Sequence, residues 1–117
     1  GDNRIIFISD SMRATGLDDG DYTLGGQYVK VTGNLAALKD GTIAGSVTNL
    51  LDCMRTAVLN MGISLESAVK CAAVNSAKSV GIYDEHGSIS PGKKADVVLL
   101  EKNGLLLRKV ILDGQPL

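Results

Sequence analysis

The chain has 117 residues, a formal net charge of −1 and 44% hydrophobic residues, with one Phe, three Tyr and no Trp. That length suffices for one small domain, and its core must be built mainly from Val, Ile, Leu and Ala. With no basic stripe and no aromatic-basic interleaving, the composition gives nucleic-acid binding no support. No apolar run is long enough to span a bilayer, so no membrane role is expected, and no signal-peptide pattern is present. The two cysteines, Cys53 and Cys71, lack the close spacing of a zinc site or a disulfide framework. They read as small buried thiols in predicted helices, in a reducing, cytoplasmic setting.

Ile5, Ile6, Phe7 and Ile8 form a continuous apolar run that leads into Ser9-Asp10-Ser11. A run this short, ended by polar residues, predicts a strand buried on both faces. Asp10 then sits at or just past the strand's C-terminal end, where α/β enzymes mount catalytic groups. A carboxylate there can accept a proton, donate one or hold a metal ion. It can equally cap the next helix. A strand of this type needs neighbours on both sides, so the chain is expected to be the tail of something larger.

Residues 11–20 are polar and punctuated by glycine, which predicts a loop. Tyr22 to Leu24, Tyr28 to Val31 and Asn34 to Leu38 are short apolar runs separated by Gly25-Gly26 and Thr32-Gly33. They predict a small β-meander with one exposed side. Small residues then cluster at Ala44, Gly45 and Ser46, just before a helix. From Val47, the apolar positions Leu50, Leu51, Met54, Val58 and Met61 follow helical spacing. Ser46 or Thr48 is the expected cap, Asp52 lies near the positive end, and Gly62 ends the helix.

Ser64 is expected to cap a second helix with Glu66 in its first turn and Leu65, Ala68, Val69 and Ala72 on its apolar face. Asn75-Ser76-Ala77 breaks it into a further turn, closed by Gly81. Pro91-Gly92 marks a turn, Ala95 to Leu100 a strand, Lys102-Asn103-Gly104 a turn, and Leu105 to Leu112 a second strand. A lone hairpin is marginal, so this pair needs a sheet to join.

Taken together, these segments resemble the C-terminal third of the N-acetylglucosamine-6-phosphate deacetylase family of metal-dependent amidohydrolases. The resemblance rests on Ser9-Asp10, Leu24-Gly25-Gly26, Thr42-Ile43-Ala44-Gly45-Ser46 and Gly87-Ser88-Ile89 with Gly92-Lys93 and Ala95-Asp96. The last group is shared by most amidohydrolases; the earlier ones, at their spacing, are more specific to the deacetylases. Ser11 stands where the family usually has Ala, and Ser76 where it usually has Pro.

The resemblance implies an α/β fold. Residues 1–87 would be the C-terminal part of a (β/α)₈ barrel whose last strand is Ile5 to Ile8. Residues 88–117 would be C-terminal strands of a small β-sandwich domain. It implies that Asp10 is the catalytic aspartate that activates a metal-bound water and then protonates the leaving amine. It implies that Ile43, Ala44, Gly45 and Ser46 form a loop that contacts an amino-sugar phosphate substrate. The divalent metal, zinc or similar, would be held in the full-length enzyme by a Glu and His residues absent from this chain. Its one histidine, His86, lies in a loop and reads as solvated. The isolated chain is then expected to be inactive, to bind no divalent metal tightly and to form a homo-oligomer. Two alternatives stand beside this reading: another amidohydrolase, dihydroorotase-like or deaminase-like, and a non-enzymatic α+β interaction domain.

Overall fold

In the computed structural model of the chain, residues 20–46 fold as a four-strand antiparallel sheet whose spatial order follows the sequence: β1 (Gly20–Leu24), β2 (Gln27–Thr32), β3 (Leu35–Ala37) and β4 (Ile43–Ser46). Leu24 pairs with Gln27, so Gly25 and Gly26 alone make the turn, with φ of 57° and 81°. Two left-handed residues in a row define a hairpin turn whose twist matches its strands, and glycine takes that conformation without penalty. The meander expected from the sequence is therefore present, with one strand more.

The alternation along β2 builds the interior. Val29 and Val31 are buried while Tyr28, Lys30 and Thr32 are exposed. Met12, Ala14 and Ala36 join the two valines in one apolar cluster, edged by Tyr22, Leu38, Ala44 and Val47. This cluster is the core of one compact unit, Ile8–Cys53.

The second unit comprises Gly1–Phe7 and Met54–Leu117. Helix α1 (Leu50–Leu59) starts three residues later than its apolar periodicity predicts. Its cap is Asn49, not Ser46 or Thr48. Asn49 Oδ1 accepts from Asp52 N–H at 2.9 Å, and Asn49 Nδ2 donates back to Asp52 Oδ2 at 2.9 Å. This reciprocal pair satisfies an orphan first-turn donor and places a carboxylate at the positive helix end. Ser64 caps α2 (Leu65–Val69) as expected, accepting from Ser67 N–H at 3.2 Å. The helical run does not break at Asn75. It passes through a π-helical turn (Lys70–Val74) into α3 (Asn75–Ser79). A second antiparallel sheet follows, β5 (Val97–Leu100), β6 (Leu107–Leu112) and β7 (Gln115–Pro116). The expected hairpin thus gains a short third strand.

One expected element is not formed within this chain. Ile5 to Ile8 is extended but joins no ladder, and Ile5, Ile6 and Ile8 are exposed. The seven strands of this chain pair antiparallel with their sequence neighbours, which leaves none to flank the run. An apolar run becomes a buried strand only where neighbours supply both hydrogen bonds and cover. Here Phe7 N–H donates to Cys71 C=O at 3.1 Å, and Asn75 Nδ2 donates to Ile5 C=O at 2.7 Å. The segment is tied to helical backbone and side chain, not to a sheet.

Candidate functional site

A cavity of about 390 Å³ opens beside the first sheet, lined by Asp10, Asn34, Leu35, Ile43, Ala44, Gly45, Ser46 and Thr48. All five residues singled out from the sequence, Asp10 and Ile43 to Ser46, fall on its wall. The backbone brings them together. Ser46 N–H donates to Asp10 C=O at 3.0 Å, and Met12 N–H donates to Ser46 C=O at 2.8 Å. The bridge between Ser11 and Ser46 is parallel, so the segment leaving Asp10 runs alongside β4.

Asp10 itself has φ 51°, in the left-handed region. Aspartate visits that region more readily than most residues, at a cost of about 1 kcal/mol that the surrounding bonds must offset. Its side chain is exposed and caps nothing. The N–H two residues on, where a capping carboxylate would reach, is already given by Met12 to Ser46. The helix-cap alternative for Asp10 is therefore not realised, and the carboxylate faces solvent with its proton-accepting capacity free.

The small-residue stretch differs from its expected form. Ile43–Ser46 is a strand, β4, not a loop. Leu35 pairs with Ser46 and Ala36 with Gly45, with a register shift between Ala36 and Ala37. Two backbone N–H groups here are committed: Ser46 N–H to Asp10 C=O at 3.0 Å, and Thr48 N–H to Ser46 Oγ at 3.0 Å. The turn that starts β4 is fixed by Asp40, which accepts from Thr42 N–H at 3.0 Å. That backbone hydrogen bond holds the Asp40 carboxyl below its ordinary range.

Sequence reasoning missed Asn34, Leu35 and Thr48. Thr48 was legible only as a cap, and Asn34 and Leu35 only as the start of the third strand of the meander; neither pattern announces a cavity wall.

His86 is not merely solvated. It is half-buried, and its Nδ1 lies 3.1 Å from Asp96 Oδ2, within the other unit. Asp96 Oδ1 accepts from Asp113 N–H at 2.8 Å. That backbone bond, and then His86, hold the Asp96 carboxyl below its ordinary range. The amidohydrolase family generally uses a divalent metal. The donor set of this chain does not fit one, because no three His, Cys, Asp or Glu side chains come together.

The profile of the amidohydrolase family matches residues 8–117. The chain is 41% identical over 103 residues to N-acetylglucosamine-6-phosphate deacetylase of Bacillus subtilis (strain 168), covering 88% of this chain and 26% of that protein. It is 35% identical over 112 residues to N-acetylgalactosamine-6-phosphate deacetylase of Escherichia coli O157:H7, covering 96% of this chain and 29% of that one. The crystal structure of N-acetylglucosamine-6-phosphate deacetylase from Thermotoga maritima superposes with a TM-score of 0.87 at 35% identity, over 98% of this chain and 31% of that one. The chain thus spans between a quarter and a third of the length of these three proteins.

Proposed function

We propose that this chain, which belongs to the amidohydrolase family, forms part of a hydrolase that removes acetate from N-acetylglucosamine 6-phosphate to give glucosamine 6-phosphate. Residues 1–87 would contribute to its barrel, with Ile5 to Ile8 as the last strand, and residues 88–117 to a β-sandwich domain. The complete, metal-loaded site would draw its ligands from outside this chain. The observation that carries the reading is the single cavity joining Asp10 to Ile43, Ala44, Gly45 and Ser46.

Amide hydrolysis needs a proton removed from the attacking water and a proton delivered to the departing nitrogen. One carboxylate can do both in turn. Asp10 suits that task because its oxygens are exposed and uncommitted, while its own backbone is held by Ser46. Position is fixed by the chain, and the reacting atoms stay free. The wall of Ala44, Gly45 and Ser46 lets a polar ligand approach closely, and Ser46 offers a hydroxyl to it.

The test is deacetylation of N-acetylglucosamine 6-phosphate by the full-length enzyme, parent against Asp10→Asn, with metal content checked in both. Loss of the proton carrier should lower kcat by roughly 10² to 10⁴ while KM changes far less. Near-parental kcat with metal retained would remove Asp10 from the chemistry. The 35% identity to an N-acetylgalactosamine-6-phosphate deacetylase makes that epimer the second substrate to assay. A higher kcat/KM for it would move the assignment to the other sugar and leave the role of Asp10 intact.

A further inference from the structure

Thr48 stands on the cavity wall and touches two other polar side chains. Its N–H donates to Ser46 Oγ at 3.0 Å, and its Oγ1 lies 2.7 Å from the same oxygen. Cys53 Sγ lies 3.5 Å from Thr48 Oγ1. All three side chains are half-buried. Each hydroxyl carries one proton and accepts two, while a thiol is a weak donor and a weak acceptor.

Two proton orders are available. In the first, Ser46 donates to Thr48, and the Thr48 proton ends on sulfur. In the second, the thiol donates to Thr48, and Thr48 donates to Ser46. The second order places both protons on oxygen, the better acceptor. It also fills both lone pairs of Ser46 Oγ, one from Thr48 N–H and one from Thr48 O–H. Ser46's own proton then has no partner within the trio and is available to the cavity that Ser46 lines.

We propose that Thr48 is a positioning residue that fixes the Ser46 hydroxyl as a hydrogen-bond donor to an acceptor oxygen of the bound ligand, with Cys53 orienting Thr48. The inference rests on the reading of this cavity as the amino-sugar phosphate site. A carbonyl, sugar or phosphate oxygen fits such a donor, and an ammonium does not.

The experiment is steady-state kinetics of the full-length enzyme on N-acetylglucosamine 6-phosphate. Thr48→Val keeps the shape and removes the hydroxyl. It should raise KM about tenfold with kcat within about twofold of the parent. Thr48→Ser keeps the relay and should stay near parental. Ser46→Ala should match Thr48→Val, and adding Thr48→Val to it should change nothing more. Equal losses in Thr48→Val and Thr48→Ser, additive losses in the double variant, or an unchanged KM in Ser46→Ala would each overturn the proposal. A second readout does not depend on turnover. The S–H stretching band that disappears in Cys53→Ser should move to higher frequency in Thr48→Val, because the thiol loses its acceptor. If the parent fails to deacetylate the sugar phosphate, the functional reading falls, and the S–H band alone decides the relay. A band unmoved by Thr48→Val overturns it.

Discussion

The two units are held by different means. In Ile8–Cys53, a sheet with alternating burial closes over five small or medium apolar side chains. In the unit of Gly1–Phe7 and Met54–Leu117, polar ties between distant positions do much of the fastening. Asp2 accepts from Ser67 Oγ at 2.7 Å and from Lys70 Nζ at 2.9 Å. Asn75 Nδ2 donates to Asp2 C=O at 2.8 Å as well as to Ile5 C=O. Lys93 Nζ donates to the carbonyls of Tyr83 and His86. Arg55 Nε donates to Gly104 C=O at 3.0 Å. A sheet over an apolar cluster leaves its edge residues free, and that is where Asp10 and the cavity sit. Polar stitching consumes the very groups that could otherwise serve a ligand, as with His86 and Asp96.

The contrast predicts where small changes hurt. The largest structural effect belongs to Gly87→Ala in the stitched unit. Gly87 has φ +85°, and an added methyl would lie 2.6 Å from Ala77 Cβ and 3.1 Å from the Ala73 carbonyl oxygen. Both obstacles are on the helical run and cannot swing aside. Strain and overlap together should cost about 3 kcal/mol or more, and should lower the urea midpoint sharply. A midpoint near parental would show that the 82–94 loop is looser than its ties imply.

Asn75→Ala should come next. Asn75 is 7% exposed and is the only polar residue among the buried residues. Its removal strands the Ile5 carbonyl, leaves Asp2 C=O with the Ile5 N–H, and opens a small cavity, a loss of about 1–3 kcal/mol. Hydrogen exchange should show faster opening at Phe7, whose N–H bond to Cys71 lies in the same tie. Unchanged exchange there would mean that the amide is dispensable and that apolar packing dominates this unit too.

The same contrast explains what could be read from the sequence. The meander was legible because period-two burial and a Gly-Gly turn are local signals, and α2 because Ser64 is a local cap. Asp10 and Ile43 to Ser46 were found by resemblance of motifs, and the cavity that joins them depends on the pairing of Asp10 and Met12 with Ser46, across about 35 residues of chain. No local pattern announces that. Ile5 to Ile8 forms no strand within this chain because apolar character favours burial, while partner strands decide it. β4 was underread because a bulge and small residues hide its alternation. The Asn49 cap was missed because Ser46 and Thr48 competed for the role on equal sequence grounds. The polar ties of the second unit pair residues 65 or more positions apart in the Asp2 cluster, where no periodicity helps.

A smaller effect follows from Asp96. Its folded-state carboxyl titrates below its ordinary value because it accepts from Asp113 N–H and faces His86. A depressed carboxyl contributes stability that is present above its unfolded value and is lost as pH falls through the folded one. The parent should therefore outperform Asp96→Asn at pH 6, and the gap should close below about pH 4. Denaturant midpoints against pH check this. A gap that persists at pH 2 would assign the effect to shape, not charge.

The smallest expected effect is the sharpest test of the open unit. Gly45→Ala places a methyl 3.6 Å from the Asp10 carbonyl oxygen and 3.8 Å from Met12 Cβ, ordinary contact distances. Gly45 is not among the residues at positive φ, so alanine meets no backbone penalty. A strand glycine replaced by alanine loses less entropy on folding, so stability should stay within about 0.5 kcal/mol of the parent or rise slightly. The fold thus has no need of glycine here. If the cavity is open only to solvent, turnover should be untouched as well. If a sugar phosphate lies against β4, a methyl added at this cavity-lining residue should raise KM by up to about an order of magnitude at unchanged stability. Thermal midpoint and KM measured on the same full-length variant separate the two, because Gly87→Ala moves the first and Gly45→Ala only the second. An unchanged KM in Gly45→Ala would take β4 out of the binding surface and leave Asp10 to act beside a wall that does not touch the substrate.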